Sequence, residues 1–179
     1  IELMKNAGVK TITSESIGFQ IGPRLNAAGR LETAEIALNL LRTSSSTEAA
    51  TLAKKLEELN KARRDEQRAA VKEIAERFKE KPQDTPVIIE TGKWHEGIIG
   101  IIAGRLVEQY KKPAFVLTEV EDGIFKGSGR SFGEFNLADA LLEVKDTIEG
   151  GGGHAAAAGL QIKQKNLSFN QQNIFSIKN

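Results

Sequence analysis

VIIETGKWHEGIIGIIAGRLVEQYKKPAFVLTEVEDGIFKGSGRS, residues 87–131, decides the fold. Val87, Ile88 and Ile89 form a short apolar run, which predicts a buried strand. Over residues 96–110 the apolar side chains Ile98, Ile101, Ile102 and Leu106 return at helical spacing, so a helix follows. Gly97, Gly100 and Gly104 recur at steps of three and four, and small residues on that face let the helix pack closely on a sheet. Residues 114–118 are a second apolar strand. Asp122-Gly123 is a turn signal, and residues 123–130 form a third strand. Strands alternating with a helix call for an α/β sheet domain.

Downstream, Asn136 caps a helix that runs through Leu142. A glycine run then leads into residues 155–162, expected as a small turn and a last strand. Upstream, residues 33–81 read as helical. A short helix over residues 33–42 places Ile36, Ala37, Leu40 and Leu41 on one side. Ser45 stands three positions before Glu48, a capping-box spacing. Leu52, Leu56, Leu59, Ala70, Ile74 and Phe78 then recur at helical period, with Glu57/Lys61 and Glu73/Arg77 as i,i+4 ion pairs. No Gly or Pro interrupts before Pro82, so this helix spans about 50 Å and acts as a rod between two lobes. Of its many charges, only Arg63, Arg64 and Arg68 are weighed for phosphate contact. Residues 1–31, rich in Gly, Ser, Thr and Asn, read as an ordered loop after a short helix end, punctuated by Gly18, Gly22, Pro23 and Gly29. The division expected is a connector, 1–82, and a small α/β domain, 83–179, with the break falling between Pro82 and Pro86.

Composition narrows the function. No stretch approaches the roughly 20 apolar residues of a membrane helix, and no basic head with an apolar block marks a signal peptide. The first residue is Ile1, so a piece of something longer is expected. With no cysteine, disulfides and thiolate metal sites are excluded, and a reducing cytoplasm is compatible. Net charge is +1, so any nucleic-acid binding must rest on local clusters. There are two histidines, His95 and His154, and no H-x-x-x-H or H-E-x-x-H spacing, nucleophile elbow or Walker loop. A two-metal hydrolytic centre needs more ligands than that.

Four segments carry candidate chemistry. In Lys126-Gly127-Ser128-Gly129-Arg130-Ser131, strand alternation puts Lys126, Ser128 and Arg130 on one face, with bare glycines that open either face to close approach. A guanidinium donates a bidentate pair to phosphate and a hydroxyl adds a third donor; an exposed edge strand with ordinary polar residues is the plain alternative. In Gly150-Gly151-Gly152-Gly153-His154, consecutive backbone amides can form an anion nest, with His154 at its edge as a phosphate donor. A flexible linker is the alternative there. In Gly22-Pro23-Arg24-Leu25-Asn26-Ala27-Ala28-Gly29-Arg30, Arg24, Asn26 and Arg30 stand among small residues with no acid nearby in sequence, a local positive patch for a nucleic-acid backbone. Those arginines could equally pair with acids elsewhere. In Trp94-His95-Glu96-Gly97, Trp94 could stack on a base or belong to the core.

Together, "IGPRLNAAGRLE", "WHEGIIGIIAGRL", "KGSGRS" and "GGGHAAAAG" resemble RecJ-type members of the DHH phosphoesterase superfamily, the last motif being the hallmark of the DHH-associated C-terminal domain. The resemblance runs from about Ile17 to Ile162. It implies the substrate-binding part of an enzyme that degrades single-stranded DNA from the 5′ end in repair and recombination, in the cytoplasm. Mn²⁺ or Mg²⁺ would be held in an N-terminal DHH domain, a partner in the same protein, and none by this chain. Ser128 and Arg130 would bind the terminal 5′ phosphate, Arg24 the DNA backbone, and His154 the scissile phosphate region in a supporting catalytic role. Asn26, Arg30, His95, Lys126 and the bare Gly151, Gly152 and Gly153 would line the same path. The chain alone would hydrolyse nothing. Two other functions are compatible: a DHH phosphodiesterase for short RNA or cyclic dinucleotides, and a non-catalytic RNA-binding module. Lys145, Asp146 and Glu149 depart from the more apolar character of relatives at those positions, and no oligonucleotide-binding fold is evident after Ile162.

Overall fold

The structure is a computed structural model that describes residues 1–80 and 85–167. The expected break at Pro82 lies outside the described residues. The chain divides into two compact units, Ile1–Glu66 and Gln67–Asn179.

The first unit is mainly helical, which corrects the loop expected over residues 1–31 everywhere but at residues 8–13. Its elements are α1 (Glu2–Ala7), α2 (Ser14–Ser16), a π turn (Ile17–Ile21), α3 (Gly22–Leu31), α4 (Glu35–Arg42) and the start of α5 (Ser46–Glu80). The small residues serve contact here. Gly22 and Pro23 open α3, where proline's missing N–H is no loss. A Cβ on Gly22 would come within 3.0 Å of the Ile17 carbonyl oxygen. Ala27 and Ala28 are fully buried with Leu3, Ala37, Ala53, Leu56 and Leu59. The start of α5 forms half of the expected capping box: the Ser45 hydroxyl accepts from the Glu48 amide at 3.3 Å, while the Glu48 carboxylate takes the Thr43 hydroxyl. Glu57 does not pair with Lys61. It turns to Arg24 at 2.5 Å and Arg64 at 3.7 Å.

The second unit is a five-stranded sheet in the order β1-β2-β3-β5-β4. The strands are β1 (Ile88–Gly92), β2 (Ala114–Glu121), β3 (Ile124–Arg130), β4 (Gly150–His154) and β5 (Ala157–Lys163). β1 and β2 are parallel, which requires a crossover, and α6 (Ile99–Tyr110) supplies it. The other pairs are antiparallel. The β2–β3 link turns at Gly123, whose φ of 70° suits glycine.

Helices lie on both faces. α6 packs on β2 and β3. On the opposite face Phe115, Leu117, Leu160 and Ile162 form a core with Leu137 and Leu141 of α7 (Leu137–Glu143). Each such side chain contributes roughly 1.5–3 kcal/mol by leaving water. Asn136 caps α7 as expected, accepting from the amides of Ala138 (3.0 Å) and Asp139 (3.3 Å). The last turns of α5 also belong to this unit. Ala70 and Ile74 are buried, Phe78 meets Tyr110 edge-on with centroids 5.1 Å apart, and Arg77 pairs with Glu90 of β1 at 2.7 Å and with Glu73 at 3.3 Å.

Three readings change here. The glycine run is no loop; it is β4, hydrogen-bonded to β5. Nor is β3 an edge strand, since it is third of five. It cannot be approached from both faces either: a Cβ on Gly127 would meet Leu117 and Leu160 at 3.0–3.2 Å, and one on Gly129 would meet Phe115 at 2.5 Å.

Candidate nucleic-acid interface

Strand alternation places Lys126, Ser128 and Arg130 on the α6 side of the sheet, away from Gly127 and Gly129. The register then builds three rows across β3, β5 and β4. Arg130 lies opposite Ala157, which lies opposite His154. Ser128, Gly159 and Gly152 form the next row, and Lys126, Gln161 and Gly150 the third. Strands stand 4.7–4.9 Å apart, so the Cα atoms of Arg130 and His154 are about 10 Å apart across one small alanine. α6 covers β2 and β3, whereas every residue of β4 is exposed. The result is a half-covered sheet face, bare over β5 and β4 and rimmed by donors. Its third row opens into a cleft of ≈ 320 Å³ lined by Lys126, Gly127, Gly150, Gly151, Gly159, Leu160 and Gln161.

Arg130 is held by its own strand, its Nη1 donating to the Gly129 carbonyl at 2.7 Å and to Ser128 Oγ at 3.2 Å. Gly100, in the first turn of α6, makes this possible. A Cβ there would come within 2.8 Å of Ser128 Oγ and 2.9 Å of Arg130 Nη2. The close helix–sheet approach expected of the α6 glycines is thus made at Gly100. Gly104 faces open space and Gly97 precedes the helix.

The two histidines share one device. His154 Nδ1 accepts from the Ala156 amide at 3.3 Å, and His95 Nδ1 from the Gly97 amide at 3.0 Å. In the neutral imidazole that leaves Nε2–H as the donor for a ligand. His95 is exposed, in the link between β1 and α6, outside the three rows. Beside it Glu96 accepts from Lys126 Nζ at 2.7 Å, and that hydrogen bond, with the ammonium's charge, holds the Glu96 carboxyl below the usual carboxylate range.

The glycines of β4 do not form an anion nest. A nest alternates right- and left-handed residues, and none of these four has positive φ. They divide instead by parity. A Cβ on Gly151 would come within 2.8 Å of the Gly159 carbonyl oxygen, and one on Gly153 within 2.3 Å of the Ala157 carbonyl oxygen and 2.5 Å of Ala158 Cα. Gly150 and Gly152 meet nothing within 4 Å. Packing accounts for the first pair. The second pair keeps the donor-rimmed face bare.

In the first unit, the helical turn separates the expected basic patch. Asn26 and Arg30, four apart on α3, share a side. Arg24 sits toward buried Ala27 and Ala28, is 13% exposed, and gives Nε to Glu57 at 2.5 Å and Nη1 to the Gln20 carbonyl at 2.6 Å. Glu57 is 33 residues away in sequence, which is why the patch read as acid-free. Arg63 likewise turns inward, to Asn60 at 2.9 Å. Trp94 is occupied as well: its ring lies against the bare Cα of Gly92 and 5.8 Å from the Arg77 guanidinium, and its Nε1 donates to Glu73 at 3.3 Å. Base stacking on Trp94 is replaced by that internal cluster. Within it, burial pushes the Glu90 carboxyl up, against the pull of Arg77 and with the push of Glu73.

Among the described residues no group of three or more His, Asp or Glu is placed to hold a metal ion, and no helix is long and apolar enough to cross a membrane. A family model for the DHHA1 domain matches residues 84–175. The single-stranded-DNA-specific exonuclease RecJ of Bacillus subtilis is 38% identical over 170 residues, 93% of this chain and 22% of that protein. RecJ of Thermus thermophilus, in its crystal structures with Mg²⁺ and with Mn²⁺, superposes with a TM-score of 0.87 at 29% identity over 97% of this chain. The chain therefore spans about a quarter of the relatives it matches, 27% and 26% of those two structures. A family model over half the chain, and a likeness that runs along nearly all of it, lead to one conclusion: the chain belongs to the DHHA1 domain family, in its RecJ-type form.

Proposed function

We propose that this chain is the substrate-binding part of a 5′-to-3′ exonuclease acting on single-stranded DNA in cytoplasmic repair and recombination. The observation that carries the reading is the shared face of Ser128, Arg130 and His154, with nothing but Ala157 and bare glycine between the donors. A terminal 5′ phosphate dianion takes a bidentate pair from Arg130 and a hydroxyl hydrogen bond from Ser128. His154, its Nδ1 already tied, offers Nε2–H to the scissile phosphate region. Lys126 and His95 extend the donor set. Gly152 leaves room for the strand, and Gly151 and Gly153 keep β4 close on β5. Arg24, Asn26 and Arg30 are assigned to the DNA backbone as separate contacts of the first unit.

Hydrolysis with Mn²⁺ or Mg²⁺ is assigned to a DHH domain of the same enzyme; among the described residues of this chain no group of three or more His, Asp or Glu is placed to hold a metal ion. In this division residues 1–82 are the connector and 83–179 the DHH-associated domain; the match over residues 84–175 supports the second range, while the compact units divide earlier, after Glu66.

Fluorescence-anisotropy titration at fixed salt tests the reading. The probes are a 5′-phosphorylated oligodeoxynucleotide, its 5′-hydroxyl form, a structured RNA and a cyclic dinucleotide. The phosphorylated single strand should bind best, and R130A should weaken it about tenfold or more, the loss of a hydrogen-bonded ion pair, while abolishing the preference for the phosphate. Tighter binding of the structured RNA or the cyclic dinucleotide overturns the reading.

A further inference from the structure

The ion pair between Lys126 and Glu96 is placed unlike a local helix pair. It joins β3 to the link before α6, 30 residues apart. Lys126 lines the ≈ 320 Å³ cleft with Gln161 and the bare Gly150, and Gln161 is exposed beside it. Two residues along a strand cover about 6–7 Å, similar to one phosphate step of an extended single strand. The Lys126–Gln161–Gly150 row is therefore one nucleotide step from the Ser128 row.

We propose that this row is a second phosphate subsite, and that Glu96 fills it with an internal anion until a ligand arrives. The inference rests on the phosphate reading of Ser128 and Arg130 given above. An incoming phosphodiester displaces the Glu96 carboxylate from Lys126 and takes the Gln161 amide as a second donor. Both charged side chains are about half exposed, 47% and 48%, and exposed pairs are held weakly, so the exchange is easy. The Lys126 hydrogen bond and charge hold the Glu96 carboxyl below the usual carboxylate range. Exchange of one anion for another also has a salt signature. The phosphate sheds a counterion as it binds, while the released carboxylate gathers one back. Glu96 therefore makes binding less sensitive to salt than the number of basic contacts implies.

The test uses the full chain, a 5′-phosphorylated oligodeoxynucleotide and a salt series, with wild type, E96Q, K126M, the double variant and R130A. Thermal melts check that each variant folds. E96Q should bind roughly two- to fivefold tighter, the factor of one exposed ion pair, and its log K against log[salt] slope should steepen by about 0.7. K126M should bind more weakly, and E96Q should add nothing in the K126M background. An unchanged affinity and slope in E96Q overturns the exchange, as does an equal gain with and without Lys126. If R130A binds like wild type, or no variant binds DNA, the phosphate reading itself fails and this inference with it. If R130A weakens binding while E96Q does nothing, the exchange alone fails.

Discussion

Glu90 is a carboxylate half-committed to the interior, 8% exposed, between Arg77 and Glu73. Burial raises its pKa above the ordinary 4.5. The folded protein thus keeps this proton to a higher pH than the unfolded chain does, and by linkage the fold loses stability as pH rises from about 4.5 through the folded-state value. Below that window the contribution is fully present. Glu90→Gln removes the titration, so the decline of stability across that window should flatten in urea melts run at a series of pH values. An unchanged profile would show that the Arg77 pair offsets the burial. Nothing near Glu90 in sequence announced this, because Arg77 and Glu73 arrive from α5, Arg77 from 13 residues away. The same physical reason hid the partner of Arg24: Glu57 is distant in sequence and adjacent only once α3 packs on α5. Lys126, Ser128 and Arg130 were legible because strand periodicity needs no tertiary information.

At the scale of elements, β4 shows what sequence could and could not give. Four glycines carry no periodic signal, so a loop was the natural expectation, and only pairing with β5 resolves them into two classes. Gly153→Ala forces backbone against backbone at Ala157 and Ala158 and should cost about 1–3 kcal/mol of stability, as overpacking does. Gly152→Ala meets open space, so its stability should stay within about 0.5 kcal/mol of wild type while single-strand binding weakens severalfold. Parallel thermal melts and anisotropy titrations separate the two. Equal losses of stability would remove the argument that Gly152 is bare for a ligand. α5, α6, α7 and the hairpin at Gly123 were readable because each carries a period, a cap or a turn pair. The helices of residues 1–31 were not, because glycine and proline there mark close contact and helix entry, and composition alone cannot distinguish those uses from breaks.

At the scale of the molecule, the strand–helix–strand core and the long helix followed from the sequence. The order β1-β2-β3-β5-β4 did not, since which strands become neighbours depends on long-range pairing. The donor set lies on this chain and the proposed hydrolytic metal site outside it. The purified chain, incubated with Mn²⁺ and labelled single-stranded DNA, should therefore release no nucleotides on a denaturing gel. Restoring a DHH domain should restore release. Metal-dependent cleavage by the chain alone would overturn that division. The position of β4 at the margin of the sheet has one more consequence. An open margin ordinarily invites another copy of the protein to add a strand and begin a fibre. Glycine has weak strand preference and brings no apolar side chain to lock such a join. The nakedness that would admit a nucleic acid thus leaves any such join with backbone hydrogen bonds alone to hold it.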